Sequence, residues 1–300
     1  MRKIDVGIGT ITFLAFSPDG SQLAIAGDRG VAIGSWPELL RQQSPFAIRS
    51  SPERVAQIAW HPDSYTFAVA MLDSAVQIWN RRLRRPRELM DLEGQEGCML
   101  SVAFSPDGLE LAMGGGWLAR GTALVVDTYK WRPLRHFEAG DQIGSILYVR
   151  QHVLATGSAD KSIAVYDFSK REETAGTYML ASPVQSLDMQ NGGQRLAVAA
   201  GNQVQLLPIT DEGALLPPSR LECRGHKYVV KAIDYSPDGR LLASTGEDGT
   251  LRFWNADTAA AVASLDLGIG KLRAVAFAPD GLTALAGGDA GTIAIVDVDY

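Results

Sequence analysis

One short pattern recurs along this chain at a nearly constant interval, and it limits the fold more than any other feature. The pattern is an apolar segment followed by Ser-Pro-Asp-Gly or a close variant, and its clear copies occupy residues 15–20, 59–64, 103–108, 234–239 and 276–281. Weaker copies lie around Tyr148 and Met189. The large residues that precede the turns are numbered 16, 60, 104, 148, 189, 235 and 277, so the intervals are 44, 44, 44, 41, 46 and 42. Intervals of about 40 to 50 residues match the four-stranded blades of β-propellers, and seven copies predict seven blades.

Each repeat has the composition of short strands joined by tight turns. Pro presets φ and Gly tolerates positive φ, so Ser-Pro-Asp-Gly suits a tight turn. The positions two and five before each large residue are apolar in all seven copies, as in Leu14 and Ile11. Further apolar segments follow each turn, such as residues 22–26 in the first repeat and 75–79 in the second. We therefore predict an all-β fold, a single seven-bladed β-propeller with four-stranded antiparallel blades.

The two ends of the sequence predict how the ring is closed. The last repeat stops after its third strand, near residues 292–298. Residues 3–9 read Lys-Ile-Asp-Val-Gly-Ile-Gly and match Ser-Leu-Asp-Leu-Gly-Ile-Gly at 264–270, the closing strand of blade six. We expect residues 2–7 to complete the last blade and to cover its open edge. Residues 1–300 then form one domain, with blades that start near 10, 54, 98, 142, 183, 229 and 271.

Composition narrows the class of protein further. The net charge of -6 and the pI of about 5.3 argue against a nucleic-acid binder, which needs a basic face, and against binding to anionic membranes. No segment has the roughly 20 apolar residues that cross a bilayer, and the N-terminus lacks the apolar stretch of a signal peptide. Cys98 and Cys223 are too few and too far apart for a disulfide framework. We expect a cytoplasmic protein that is monomeric by itself.

Blade six carries the motifs that allow a comparison with a known family. It contains Gly225-His226, then residues 236–239 as Ser-Pro-Asp-Gly, then Asp248-Gly-Thr and Trp254-Asn. With these motifs the chain resembles the WD-repeat β-propellers over nearly its whole length. The resemblance implies that four side chains form a structural hydrogen-bonded set, namely His226, Ser244, Asp248 and Trp254. The other blades depart from the family pattern, since Gly-His occurs once and Trp-Asp does not occur at all.

The sequence offers no candidate for catalysis, for a cofactor or for a metal ion. The four histidines fall in different blades, and none has a partner at metal-ligand spacing. The positions four before each large residue should surround the channel mouth, and they contain no His and no carboxylate: Thr12, Ala56, Leu100, Gly144, Gln185, Lys231 and Arg273. General acid–base chemistry is therefore disfavoured there. We predict a non-catalytic scaffold or subunit of a multiprotein complex, and the alternative is a hydrolase-like propeller enzyme with a site at the channel mouth.

Two surface features are candidates for binding partner proteins. The connection between the second and third strands of blade three is three residues longer than in blade six, and its glycines predict a mobile loop that carries Trp117 and Arg120. Trp and Arg are enriched at binding hot spots. We hypothesise that these two residues form the main binding patch with Lys231 and Arg273 across the channel mouth. The alternative is that Trp117 caps the core of a neighbouring blade.

A basic run in blade two forms the second candidate. It contains Arg81, Arg82, Arg84, Arg85 and Arg87, between the third and fourth strands. It would attract an acidic partner, and the alternative is an ordinary solvated loop. Trp36, which precedes a proline at a strand end, is expected to be only partly buried.

Overall fold

The computed structural model describes residues 1–41, 46–50, 54–72, 76–80, 86–89, 97–117, 120–169, 174–210, 214–216 and 221–299. These residues form seven four-stranded antiparallel sheets, so the predicted propeller is confirmed. The first strand, β1 (Arg2–Asp5), belongs to blade seven. Blade one consists of β2 (Ile11–Phe16), β3 (Gln22–Gly27), β4 (Gly30–Ser35) and β5 (Ala47–Ser50), with α1 (Trp36–Leu40) before its last strand.

The remaining strands follow the same order, from the channel outwards in each blade. Blade two consists of β6 (Val55–Trp60), β7 (Thr66–Met71), β8 (Val76–Asn80) and β9 (Arg87–Leu89). Blade three consists of β10 (Cys98–Phe104), β11 (Glu110–Trp117), β12 (Arg120–Asp127) and β13 (Pro133–Ala139). Blade four consists of β14 (Ile143–Arg150), β15 (Val153–Ser158), β16 (Ser162–Asp167) and β17 (Thr174–Met179). Blade five consists of β18 (Val184–Met189), β19 (Arg195–Ala200), β20 (Gln203–Pro208) and β21 (Glu222–Arg224). Blade six consists of β22 (Val230–Tyr235), β23 (Leu241–Gly246), β24 (Thr250–Asn255) and β25 (Ala261–Asp266). Blade seven adds β26 (Leu272–Phe277), β27 (Thr283–Gly288) and β28 (Thr292–Asp297).

The hydrophobic core is divided among the seven junctions between blades. Each of the seven apolar clusters contains residues of two consecutive blades, and the last joins blade seven to blade one. The apolar positions two and five before each large residue are buried in every blade, as the spacing predicts. Burial of these side chains removes apolar surface from water at each junction, so each blade is stabilised by its neighbours.

The antiparallel order gives the ring two distinct faces. Connections between first and second strands, and between third and fourth strands, lie on what we call the turn face. Connections between second and third strands, and between blades, lie on the hairpin face. The Ser-Pro-Asp-Gly motif forms the turn-face connection: Ser17 Oγ donates to Asp19 Oδ1 at 2.6 Å, Gly20 N donates to Ser17 O at 2.8 Å, and Gly20 has φ of +70°.

The predicted closure of the ring is confirmed. Strand β1 pairs antiparallel with β28, with Arg2 opposite Ile295 and Asp5 opposite Thr292. The chain then turns as it does after blade six, since Asp5 Oδ1 accepts from Gly7 N at 3.0 Å and Asp266 Oδ1 accepts from Gly268 N at 2.9 Å. The apolar residues Val6 and Ile8 are buried in the junction between blades seven and one.

Two local expectations are wrong. The described part of the insertion in blade three is strand and not loop: β11 and β12 have eight residues each, whereas the corresponding strands of other blades have five or six. The glycines lie in the strands because backbones approach closely there, and a Cβ on Gly115 would lie 2.0 Å from Cys98 O. Trp36 is only 5% exposed, because it begins α1 and packs edge-on against Phe16 at 5.0 Å.

Candidate functional site

Blade six contains a continuous chain of hydrogen bonds through four side chains. Trp254 Nε1 donates to Ser244 Oγ at 2.7 Å, and Ser244 Oγ lies 2.8 Å from His226 Nε2. His226 Nδ1 lies 3.0 Å from both carboxylate oxygens of Asp248, which also accepts from Lys227 N at 2.9 Å. The structure therefore brings together the four residues that the resemblance assigned to a structural set.

The same chain has the Ser-His-Asp order of a hydrolytic triad, but it cannot act as one. Ser244 is 0% exposed, and its oxygen already accepts the Trp254 N–H, so no substrate reaches it. Burial lowers the pKa of His226, although Asp248 opposes this effect. Burial acts to raise the pKa of Asp248, but hydrogen bonds from Lys227, Thr250 and His226 outweigh it and lower this pKa to about 2. A neutral His226 then donates to Asp248 and accepts from Ser244, which satisfies every buried polar atom of the set.

Two of the other histidines also have local structural contacts. His61 replaces the serine of the turn motif, and its Nδ1 accepts from Asp63 N at 3.0 Å while its Nε2 lies 3.1 Å from Gly108 O. His136 Nε2 lies 2.7 Å from Thr122 Oγ1. Within the described parts of the chain, no three His, Cys, Asp or Glu residues are placed to hold a metal ion. Nor does any described helix have the length and apolar character to span a membrane.

The two cations predicted at the channel mouth are held by neighbouring polar groups. Lys231 Nζ donates to Gln185 Oε1 at 2.9 Å and lies 3.7 Å from Glu247 Oε1. Arg273 Nε donates to Asp289 Oδ1 at 2.5 Å. These contacts offset the positive charge of Lys231 and Arg273. The two residues therefore attract an acidic partner more weakly than unpaired cations would. They belong to blades six and seven, away from blade three.

The extended hairpin of blade three presents Trp117 and Arg120 side by side. The two residues are directly opposite each other in the β11–β12 ladder. Trp117 is 59% exposed, so it does not cap the core of a neighbouring blade. The Arg120 guanidinium has neither a hydrogen bond nor an ion pair with any described residue. Beside the hairpin lies a cleft of about 460 Å³, and its lining includes Trp117, Arg120, Thr122, His136 and Glu138.

Of the basic run in blade two, Arg87 lies in the described chain. Arg81, Arg82, Arg84 and Arg85 lie outside the described residues. Arg87 is exposed at the start of β9, and its guanidinium carbon lies 5.7 Å from the centroid of the Trp131 ring. Arg87 therefore lies at the junction between blades two and three.

Sequence reasoning missed one pair of functional groups on the inner strands. Asp188 Oδ2 accepts from Tyr235 N at 2.6 Å, and Asp234 Oδ2 accepts from Phe277 N at 2.5 Å. Each carboxylate thus binds the inner strand of the next blade. Burial raises the pKa of Asp188 to about 7, and burial together with the nearby Asp188 charge raises the pKa of Asp234. The available signal was their position, just before the large residue, where most blades have Ala.

Fold and site together define the class of the protein as a closed repeat propeller with a buried His-Ser-Asp-Trp set. Residues 46–80 and 218–255 match the family model for the WD domain, G-beta repeat. The chain therefore contains WD repeats at these two segments, within a seven-bladed propeller.

Curated relatives agree with this family. The chain is 31% identical over 209 residues to "Cell division cycle 20.1, cofactor of APC complex" of Arabidopsis thaliana, which covers 66% of this chain and 44% of that protein. It is 28% identical over 234 residues to "Anaphase-promoting complex subunit cdc20" of Dictyostelium discoideum, covering 75% and 46%. It is 27% identical over 270 residues to "Telomerase protein component 1" of Rattus norvegicus, covering 84% and 10%. The chain thus spans less than half the length of these relatives.

Proposed function

We propose that this chain is a non-catalytic subunit that binds other proteins within a multiprotein complex. Its relatives are named as a cofactor of one complex, a subunit of the same complex and a protein component of telomerase. The propeller supplies the same kind of framework, with connections on both faces of one rigid ring. We also propose that the chain is cytoplasmic, where its thiols stay reduced, and monomeric by itself.

The blade-three hairpin carries this proposal. An exposed Trp next to an Arg without a partner in the described chain is the combination that dominates binding energy at protein interfaces. The hairpin is held by two ladders, since β12 also pairs with β13 along most of its length. A surface that is rigid before binding loses little conformational entropy when a partner docks.

The absence of catalysis is part of the proposal. It is supported by the hydrogen bonds that the candidate polar groups form. The buried set of blade six is fully hydrogen bonded, and the channel-mouth cations Lys231 and Arg273 are held by neighbouring groups. A catalytic group needs access to substrate and a proton to give or take. Neither arrangement offers both.

The test is a comparison of partner recovery by two double variants. Trp117→Ala with Arg120→Ala should lose most co-purified protein when a tagged chain is isolated from its host and quantified by mass spectrometry. The matched control is Leu282→Ala with Arg240→Ala, which removes one exposed apolar and one exposed basic side chain from the turn face. Both variants should melt like the parent chain. Equal recovery by both variants would contradict the hairpin as the binding surface.

The monomer proposal is checked separately. Gel filtration of the purified chain should give a single species of about the mass of one chain, 32.2 kDa. A dimer that the Trp117→Ala variant dissociates would mean that the hairpin binds a second copy instead of a different protein.

A further inference from the structure

A second exposed surface lies at the opposite end of β12 from the blade-three hairpin. Arg120 and Asp127 are seven strand steps apart, which corresponds to about 23 Å. The connection after Asp127 reads Thr128-Tyr129-Lys130-Trp131-Arg132 and lies on the turn face. A role for this second surface goes beyond the function proposed above, because the blade-three hairpin is not part of the surface.

This connection is fixed by its own hydrogen bonds. The Asp127 carboxylate accepts from Lys130 N at 2.6 Å and from Arg132 N at 3.0 Å. Thr128 Oγ1 donates to Gly108 O at 2.7 Å, and Thr128 N donates to Leu109 O at 3.0 Å. The turn of residues 105–108 and the 128–132 connection are therefore joined, and Leu109 lies beside the connection.

The side chains on this fixed backbone are exposed and basic. Arg87, Lys130 and Arg132 are exposed, and none of them forms an ion pair with a described residue. The carboxylate of this connection, Asp127, is engaged by backbone N–H groups, and the bond from Lys130 N is the main reason why its pKa is low. Arg135 does not add to the surface, because it is paired with Glu110 at 3.1 Å. Asp107, in the adjoining turn, accepts from Ser105 Oγ, Leu109 N and Gln151 Nε2. Three cations without an ion pair to a described residue are therefore grouped on this surface, in a chain whose net charge is -6.

Aromatic and apolar side chains complete the surface. Trp131 packs against the core between blades two and three, and its ring lies 5.7 Å from the Arg87 guanidinium, which it helps to position. Tyr129 is 85% exposed and Leu109 is 64% exposed. Exposed apolar groups between cations are suited to a segment in which carboxylates flank an apolar side chain. A planar guanidinium can bind such a carboxylate through two N–H groups.

We propose that Arg87, Lys130 and Arg132, together with Leu109 and Tyr129, form a docking surface for an acidic segment of a partner protein. A protein segment suits the surface better than a nucleic acid does. Nucleic acids need many phosphate contacts, and the acidic remainder of the ring repels a long polyanion. The two surfaces on opposite faces would then allow one chain to hold two partners at once.

The experiment measures fluorescence anisotropy of a labelled peptide in which Glu and Asp flank a Phe, titrated with the full chain. The parent chain should bind this peptide. A peptide with Gln and Asn in place of the acids should bind at least roughly tenfold more weakly. Lys130→Glu with Arg132→Glu should weaken binding of the acidic peptide by roughly tenfold or more, and Tyr129→Ala should weaken it as well. Binding should also weaken as salt is raised.

Two controls make the result specific. Arg240→Glu with Lys161→Glu makes the same change in net charge elsewhere and should leave binding unchanged. Trp117→Ala with Arg120→Ala should also bind the peptide normally, so failure of the hairpin proposal and failure of this one are distinguishable. Equal affinity for the acidic and neutral peptides would overturn the proposal. So would an unchanged affinity of the Lys130 and Arg132 variant, or tighter binding of a single-stranded oligonucleotide than of the peptide.

Discussion

The Ser244 hydroxyl shows how much one buried polar atom contributes when both its bonds are used. It receives the Trp254 N–H and donates to His226. Ser244→Ala leaves both partners unsatisfied inside the core, and we expect a loss of about 2–4 kcal/mol in the free energy of unfolding. Urea unfolding with an unchanged m-value measures it.

Ser101 is the matched control for that change. Its side chain is equally buried, in blade three, but its hydroxyl has no hydrogen-bond partner in the described chain. Ser101→Ala removes an unpaired polar atom, so the free energy of unfolding should stay the same or rise. A large loss in both variants would show that volume, and not hydrogen bonding, decides the cost at these positions.

Asp188 should make the protein less stable as the pH rises. Its folded pKa, about 7, lies above the ordinary value of 3.8, so the folded state disfavours the ionised form. Stability is then greatest below the ordinary pKa and decreases as the pH rises towards the folded pKa. Asp188→Asn removes this dependence and keeps an oxygen to accept the Tyr235 N–H. As the pH rises from 4 to 8, the free energy of unfolding of the variant should increase relative to that of the parent by about 1–2 kcal/mol. Urea unfolding at each pH measures this difference.

Asp238 provides a control of opposite sign. Hydrogen bonds from Ser236 and from Arg240 N lower its pKa in the folded state. The contribution of Asp238 to the stability of the folded state is therefore present above the ordinary pKa and is lost as the pH falls. Asp238→Asn should be less stable than the parent at pH 8 and should approach it at low pH. The Asp188 account fails if both variants shift in the same direction.

At the scale of elements, the sequence predicts the inner strands well and the blade-three hairpin poorly. The inner strands are specified by their own residues, because the apolar positions two and five before the turn are buried in every blade. The glycines of β11 indicate a loop when considered locally, and only the neighbouring backbone explains them. Gly115 lies opposite Met99 and Thr122, close to the Cys98 carbonyl. The same limit applies to Asp188 and Asp234, whose partners are in the next blade.

Substitution of Gly115 tests this explanation. A Cβ there would lie 2.0 Å from Cys98 O, so Gly115→Ala must move backbone. We expect a loss of about 1–3 kcal/mol in the free energy of unfolding, the usual cost of overpacking. The control is Gly144→Ala in β14, where the nearest atom to a new Cβ is 3.7 Å away. That change should be neutral or slightly stabilising, because alanine restricts the unfolded chain. Similar losses at both positions would indicate a general intolerance of side chains.

At the scale of the whole molecule, ring closure should depend on the N-terminal strand. Removal of residues 1–8 exposes the edge of β28 and removes Val6 and Ile8 from the junction between blades seven and one. We expect a lower melting temperature and self-association through the open edge. Differential scanning calorimetry and gel filtration measure these two effects. The control is Lys3→Ala, which keeps the strand, changes only an exposed side chain and should melt like the parent. A truncated chain that melts like the parent and stays monomeric would contradict the closure.

The pairing of β1 with β28 also fixes the order of events during synthesis. Residues 2–5 leave the ribosome long before their partners at 292–295. The six other blades are each built from one continuous stretch of chain and can form as they appear. Blade seven alone needs contacts across nearly the entire chain, which are the slowest to form. Until residues 292–295 are made, the nascent protein carries the apolar segment around Val6 and Ile8 without its partner, so a chaperone that protects this segment would raise the yield of closed rings.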